Sequence, residues 1–340
     1  MSAPSILVMT PAGLYCPAGD FYVDPRHAVS KAVITHAHSD HARAGHRAVL
    51  AHPLTLAVIR KRIDPMARGQ ALEYGTPVEL NGARVSLHPS GHVPGSAQVR
   101  IEYKGFVAVV TGDFKIEHDG LTDAYEQQRC HWFITECTFG IPVFRWETQA
   151  EIFKQVIWQY RENVSRDTTT ILTAYALGKA QRLAHMLAPH VESIVVHRTV
   201  APINAALSKA GLPLPPTKTL NATTLADHSP SRLIIAPGSA LRESWVRRIG
   251  STAVYTVSGW VALQTRRRTS SGFALSDHAD YPGLLQAVRD TGAERISVDH
   301  GYVNEFCAAL RKEGLTAEVL REEKIREMSR SEGDQLALPF

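Results

Sequence analysis

Apolar and polar positions along this chain follow two rhythms. Val33 and Ile34 close a short apolar run, residues 83–87 alternate apolar and polar, and Phe106–Val110 is apolar throughout. The first and third patterns predict buried strands, and the second predicts a strand with one wet face. A further strand is expected at residues 296–298. Residues 53–63 predict a helix, because Pro53 stands where the first helical turn tolerates a missing donor. After Gly140 the rhythm changes. Residues 147–162 read as helix, Thr169–Thr173 as strand, 178–187 as helix and 194–196 as strand, with further strands at Arg232–Ala236 and 253–257. That alternation predicts a smaller parallel α/β unit interrupting a strand-rich one. The chain is expected to return to the first unit near Thr265.

Composition adds bounds. The 340 residues are 44% hydrophobic and 21% charged, enough for a large core and two domains. A net charge of +4 permits a polyanionic partner without demanding one. Arg60-Lys61-Arg62, Arg247-Arg248 and Arg266-Arg267-Arg268 are either phosphate contacts or solvated faces. Cys16, Cys130, Cys137 and Cys307 show no metal-binding spacing and suggest reduced thiols in a cytoplasmic protein. No signal peptide or membrane span is expected, and no membrane partner.

The chemistry is concentrated in Thr35-His36-Ala37-His38-Ser39-Asp40-His41, where three imidazoles and a carboxylate follow a predicted strand. His36 and His38 point the same way from an extended segment, and Asp40 and His41 follow where the chain turns. Such donors suit zinc or manganese, and their number suggests two adjacent ions. Further ligands are expected at other strand exits: His92 between Gly91 and Gly95, Asp113 after Phe106–Val110, and His300 after residues 296–298. Asp113 is placed to bridge both ions.

These motifs resemble the metallo-β-lactamase superfamily. Asp24 matches an acidic residue that braces the ligand loop, His36, His38, Asp40 and His41 match the ligand loop itself, and His92 and Asp113 match the next two motifs. Glu136, His278 and His300 resemble motifs A, B and C of the β-CASP nuclease branch. Residues 13–25 and 174–181 and the compact length are similar to the bacterial ligase-associated DNA exonucleases. The resemblance implies an α/β metallo-β-lactamase αββα sandwich over residues 1–140 and 265–322. It implies an inserted β-CASP domain over 141–264, followed by a tail over 323–340.

It also implies roles. His36, His38, His92 and Asp113 would hold one divalent ion, and Asp40, His41, Asp113 and, by analogy, His300 the second. Zn or Mn so placed would activate water for in-line attack on phosphorus. His278 would act as general acid, with Glu136 orienting it. The expected function is exonucleolytic trimming of DNA, at single strands or strand ends, from the 5′ end during repair. Alternatives are an RNA-processing nuclease, a small-molecule metallo-hydrolase or a silent scaffold in a repair complex. A repair ligase is an expected partner. So is a sliding clamp, through Gln335, Leu336, Leu338 and Phe340, which could equally pack back on the protein. Lys179, opening a helix, could grip a phosphate or be an ordinary exposed helix-start lysine. Trp260 could stack on a nucleobase, but a core tryptophan is the expected role.

Overall fold

The first strands pair in chain order. β1 (Val8–Thr10), β2 (Gly13–Cys16), β3 (Phe21–Val23), β4 (Lys31–Val33), β5 (Ala48–Ala51) and β6 (Gly69–Ala71) form one sheet, antiparallel up to β3 and parallel after it. Helix α1 (Pro53–Arg62) connects β5 to β6, with Pro53 in its first turn as expected. The computed structural model describes residues 6–226, 229, 231–265 and 272–322. Arg266, Arg267, Arg268 and the terminal Gln335, Leu336, Leu338 and Phe340 lie outside the described residues.

A second sheet begins as an antiparallel meander of β7 (Val78–Leu80), β8 (Ala83–Pro89), β9 (Ala97–Tyr103) and β10 (Phe106–Val110), and β11 (Trp132–Cys137) joins β10 in parallel. The chain then leaves this sheet. Helix α2 (Gln149–Ser165) opens on Thr148 and Glu151, each side chain satisfying the other's backbone donor. β12 (Thr169–Thr173), α3 (Lys179–Leu187), β13 (Ser193–Val196), α4 (Ala201–Lys209), β14 (Lys218–Thr219), α5 (Ala222–Ala226), β15 (Arg232–Ala236), β16 (Thr252–Val257), α6 (Val261–Thr265) and β17 (Gly272–Phe273) follow. Their strands form an all-parallel sheet in the order β14-β13-β15-β12-β16-β17. After α7 (Tyr281–Asp290), β18 (Arg295–Gly301) pairs in parallel with β11, and β19 (Ala317–Val319) follows α8 (Val303–Lys312) at the sheet edge.

The parallel unit expected from the alternation is present, but it extends further along the chain than residue 264. β17 still pairs with β16, Val257 opposite Phe273. A two-residue strand has no periodicity to betray it in the sequence.

Strand alternation sorts the core into layers. Ala108, Val110, Trp132 and Ile134 face Leu14, Phe21, Val33 and Leu50 of the first sheet. Their neighbours Val107, Val109 and Phe133 face Leu284 and Val288 of α7 and Phe306 and Leu310 of α8. On the outer face of the first sheet, Ala32, Val49 and Ala51 pack under Leu56 and Val58 of α1, and Ile203 and Leu207 of α4 join the same cluster. The order is therefore helix, sheet, sheet, helices, with the third sheet attached beside α1. Burying each such Val, Leu or Phe is worth about 1.5–3 kcal/mol.

Candidate metal centre and adjoining cavity

The centre forms where strands of the two packed sheets end together. β4 delivers the 36–41 segment, β10 delivers Asp113, β11 Glu136 and β18 His300. His92 rides a turn after β8 in which Gly91 and Gly95 take positive φ angles of 74° and 80°. A side chain on Gly91 would collide with the Lys115 carbonyl oxygen, so glycine is required there.

Hydrogen bonds outside the centre decide where each imidazole carries its proton. His38 Nε2 lies 3.2 Å from the Leu177 carbonyl and His92 Nδ1 lies 2.7 Å from the Asp277 carbonyl, so both nitrogens donate. Thr35 Oγ1 donates to Asp24 Oδ2 at 2.6 Å and so accepts from His36 Nδ1 at 3.1 Å. The nitrogens left as lone pairs are His36 Nε2, His38 Nδ1 and His92 Nε2. They converge: His38 Nδ1 is 3.0 Å from His36 Nε2 and 3.1 Å from His92 Nε2. Asp113 Oδ2 is 3.6 Å from His36 Nε2 and 3.5 Å from His92 Nε2. Burial holds all three imidazoles below their usual pKa, hence neutral. Four electron pairs with no proton among them repel unless a cation sits between, and this donor set suits zinc or manganese.

A second group lies on the other side of Asp113. His41 Nδ1 donates to Asp24 Oδ2 at 2.7 Å and its Nε2 faces Asp113 Oδ1 at 3.4 Å. Burial opposes a charge on the ring, but Asp113 and Asp24 outweigh it and hold the imidazole well above its usual pKa, a charge that a bound cation would replace. His300 Nε2 approaches the same oxygen, also at 3.4 Å. That oxygen is buried and receives no well-formed hydrogen bond. Burial alone would raise the Asp113 carboxyl, but His41 and His278 hold it well below the usual carboxylate range. Its two oxygens thus serve two donor groups, which fits a pair of adjacent cations. Asp24 ties the groups together, since it also accepts from the Thr35 backbone N–H at 2.8 Å.

Asp40 is the exception among the expected ligands. The backbone turns at His38, whose carbonyl accepts from Ala42 N at 2.8 Å. This turn sends His41 inward and leaves Asp40 exposed at the cavity rim, outside the groups whose donor atoms converge.

His278 and Glu136 meet as expected. His278 Nδ1 lies 2.8 and 3.0 Å from the two Glu136 oxygens, and its Nε2 lies 4.0 Å from Asp113 Oδ2. Glu136 is itself held by the Phe114 backbone N–H at 2.9 Å and by the Thr138 N–H and hydroxyl. Burial opposes a charge on His278, but Glu136 and Asp113 outweigh it and the imidazole is pushed up to about 9. At neutral pH it carries a proton.

Lys179 departs from both sequence expectations. It is buried, and its ammonium pairs with Asp277 Oδ1 at 2.9 Å and donates to the Leu275 carbonyl at 2.7 Å, so it is not a free phosphate grip. Burial pushes it down to about 8, partly offset by Asp277. Arg182, also buried, reaches Asp277 Oδ1 at 3.0 Å and the Ser276 carbonyl at 2.6 Å. Lys115 pairs with Asp119 nearby. This network joins α3 to the segment that carries His278 and that orients His92. Asp277→Asn is expected to destabilise the protein by about 3–5 kcal/mol, because two buried cations lose their counter-charge. Urea unfolding of the two proteins side by side checks this, and equal midpoints would refute it.

Beside the centre lies a cavity of about 320 Å³, walled by His38, His92, Asp113 and His278 on one side and by Tyr175 and Trp260 on the other. Trp260 is not a core residue: its indole is partly exposed to this space. Sequence reasoning gave Tyr175 and Asp277 no role of their own.

The fold and the site together define a mixed α/β protein with a buried centre of His and Asp residues able to hold metal. No family model matches the chain. It is 29% identical over 321 residues to a probable DNA ligase of Opitutus terrae, covering 93% of this chain and 31% of the ligase. It is 28% identical over 174 residues to the endoribonuclease YSH1 of Gibberella zeae, covering 49% of this chain and 20% of that protein. The chain thus spans about a third or less of these relatives. A crystal structure of a protein of unknown function from Enterococcus faecalis V583 superposes with a TM-score of 0.57 at 13% identity, over 79% of this chain and 74% of that one, and shares the fold.

Proposed function

We propose that the chain is a nuclease of the metallo-β-lactamase superfamily, β-CASP branch, acting as a DNA exonuclease with two divalent ions, Zn or Mn. The observation that carries this reading is the convergence of four proton-free donor atoms from His36, His38, His92 and Asp113. His41, Asp113 and His300 would hold the second ion, joined by Asp40 from the cavity rim. Cations held there supply Lewis acidity and charge neutralisation for hydrolysis of a phosphodiester. His278 presents Nε2–H at the edge of the centre as general acid for the departing oxygen, and Glu136 fixes its ring and favours its charged form. Among the described residues no helix is long and apolar enough to cross a membrane.

Similarity to part of a probable DNA ligase supports DNA as the substrate, with a repair ligase as a partner. Docking on a sliding clamp through Gln335, Leu336, Leu338 and Phe340 belongs to the same reading. A second reading, RNA processing, is favoured by the similarity to YSH1. Matched DNA and RNA strands with defined 5′ and 3′ ends, incubated with metal-loaded protein, separate the two. Stepwise release of nucleotides from 5′ DNA ends is expected. Faster internal cutting of RNA would transfer the assignment to the second reading.

A further inference from the structure

Two large aromatic side chains stand open to water at the wall of the catalytic cavity, Tyr175 at 71% and Trp260 at 41% exposure. Their placement follows from the third sheet. Tyr175 lies just past the end of β12 and Trp260 just past the end of β16, and these strands are neighbours. β13, β14 and β15 all lie on one side of β12 and β16 on the other, so the sheet changes direction there. In parallel sheets this is where the loops part and leave a crevice for a ligand. The indole is not loose: its ring centre is 4.9 Å from that of Phe139 and 5.6 Å from that of Phe144. Phe139 in turn lies 5.8 Å from the His278 ring. Tyr175 sits 6.2 Å from the ring of His38. Arg62, from the last turn of α1, adds a cation to the same wall.

Resting on the nuclease reading above, we infer that Tyr175 and Trp260 form a stacking clamp for unpaired nucleobases next to the scissile phosphate. The occupant is a single strand, because bases within a duplex have both faces already covered by their neighbours. Aromatic faces accept any base, so the clamp selects strandedness rather than sequence. The bracing of Trp260 by Phe139 and Phe144 leaves less side-chain freedom to lose on binding. Arg62 meets the backbone between the clamped bases.

The test measures KM and kcat of the metal-loaded full chain on a single DNA strand, intact or carrying one abasic site at successive positions near the cleaved end. On the intact strand, Trp260→Ala or Tyr175→Ala is expected to raise KM about tenfold or more, with kcat within about twofold. Trp260→Phe should keep most of the wild-type KM. An abasic site at the clamped position should penalise the wild type to a similar degree and the matching alanine variant hardly at all. If every abasic position penalises wild type and both alanine variants equally, or if both variants keep the wild-type KM, the clamp is wrong while the nuclease assignment stands. A wild-type protein that cuts no strand removes both.

Discussion

His278→Ala is expected to lower turnover by about 10²–10⁴-fold, the range by which a positioned proton donor accelerates such reactions, while metal content stays at the wild-type level. The separation of effects follows from geometry. His278 Nδ1 is committed to Glu136, and its Nε2 stands 4.0 Å from Asp113, further off than the imidazoles that converge on that carboxylate. A substrate whose leaving group needs no proton should recover much of the lost rate in this variant. Elemental analysis together with kcat on ordinary and activated phosphodiesters checks both halves. Full turnover in the variant would strike His278 from the mechanism, and lost metal would make it a ligand.

Asp113→Ala should have the opposite signature, with metal retention failing at both positions and activity falling with it. Each carboxylate oxygen faces its own group, Oδ2 toward His36 and His92 and Oδ1 toward His41 and His300. Among the described residues Asp113 is the carboxylate shared by the two groups. The wild-type melting temperature should rise when Zn or Mn is added, by the stabilisation that binding to the folded state alone confers, about 2.7 kcal/mol at a hundredfold excess over Kd. The variant should show no such rise. A wild-type protein that retains no cation after careful reconstitution would favour the silent scaffold over any hydrolase.

Much of this centre was legible because its donors leave strands in short, dense signals. The 36–41 segment, His92, Asp113 and His300 each follow a stretch with a strand pattern, apolar throughout or alternating, and the structure brings those strand ends together. Strands β12, β13 and β15 of the third sheet were visible because each is buried along almost its whole length around an apolar centre, Ile171-Leu172, Ile194-Val195-Val196 and Leu233-Ile234-Ile235, whereas β16 is only partly buried. What escaped depends on partners remote in sequence. Asp277 matters through Lys179 and Arg182, almost a hundred positions away, and no local pattern announces a buried counter-ion. Asp40 and His41 are adjacent letters, and only the turn closed on the His38 carbonyl sends one outward and the other inward. Trp260 suggests a core residue by its size, yet it sits at a loop beyond the sheet, where only its back is covered. Helices α7 and α8 were not anticipated, although both are amphipathic and cover the outer face of the second sheet.

The pairing of β11 with β18 has a consequence for how the protein is made. Trp132 lies opposite Arg295, so the second sheet stays unfinished on the ribosome until the entire intervening unit has emerged. Contacts so distant in sequence form slowly, and the exposed strand edge must be protected meanwhile. His36, His38, His92 and Asp113 are synthesised long before His300. His38 and His92 also await the Leu177 and Asp277 carbonyls that orient them, so the centre matures only as the later segments dock on the earlier ones.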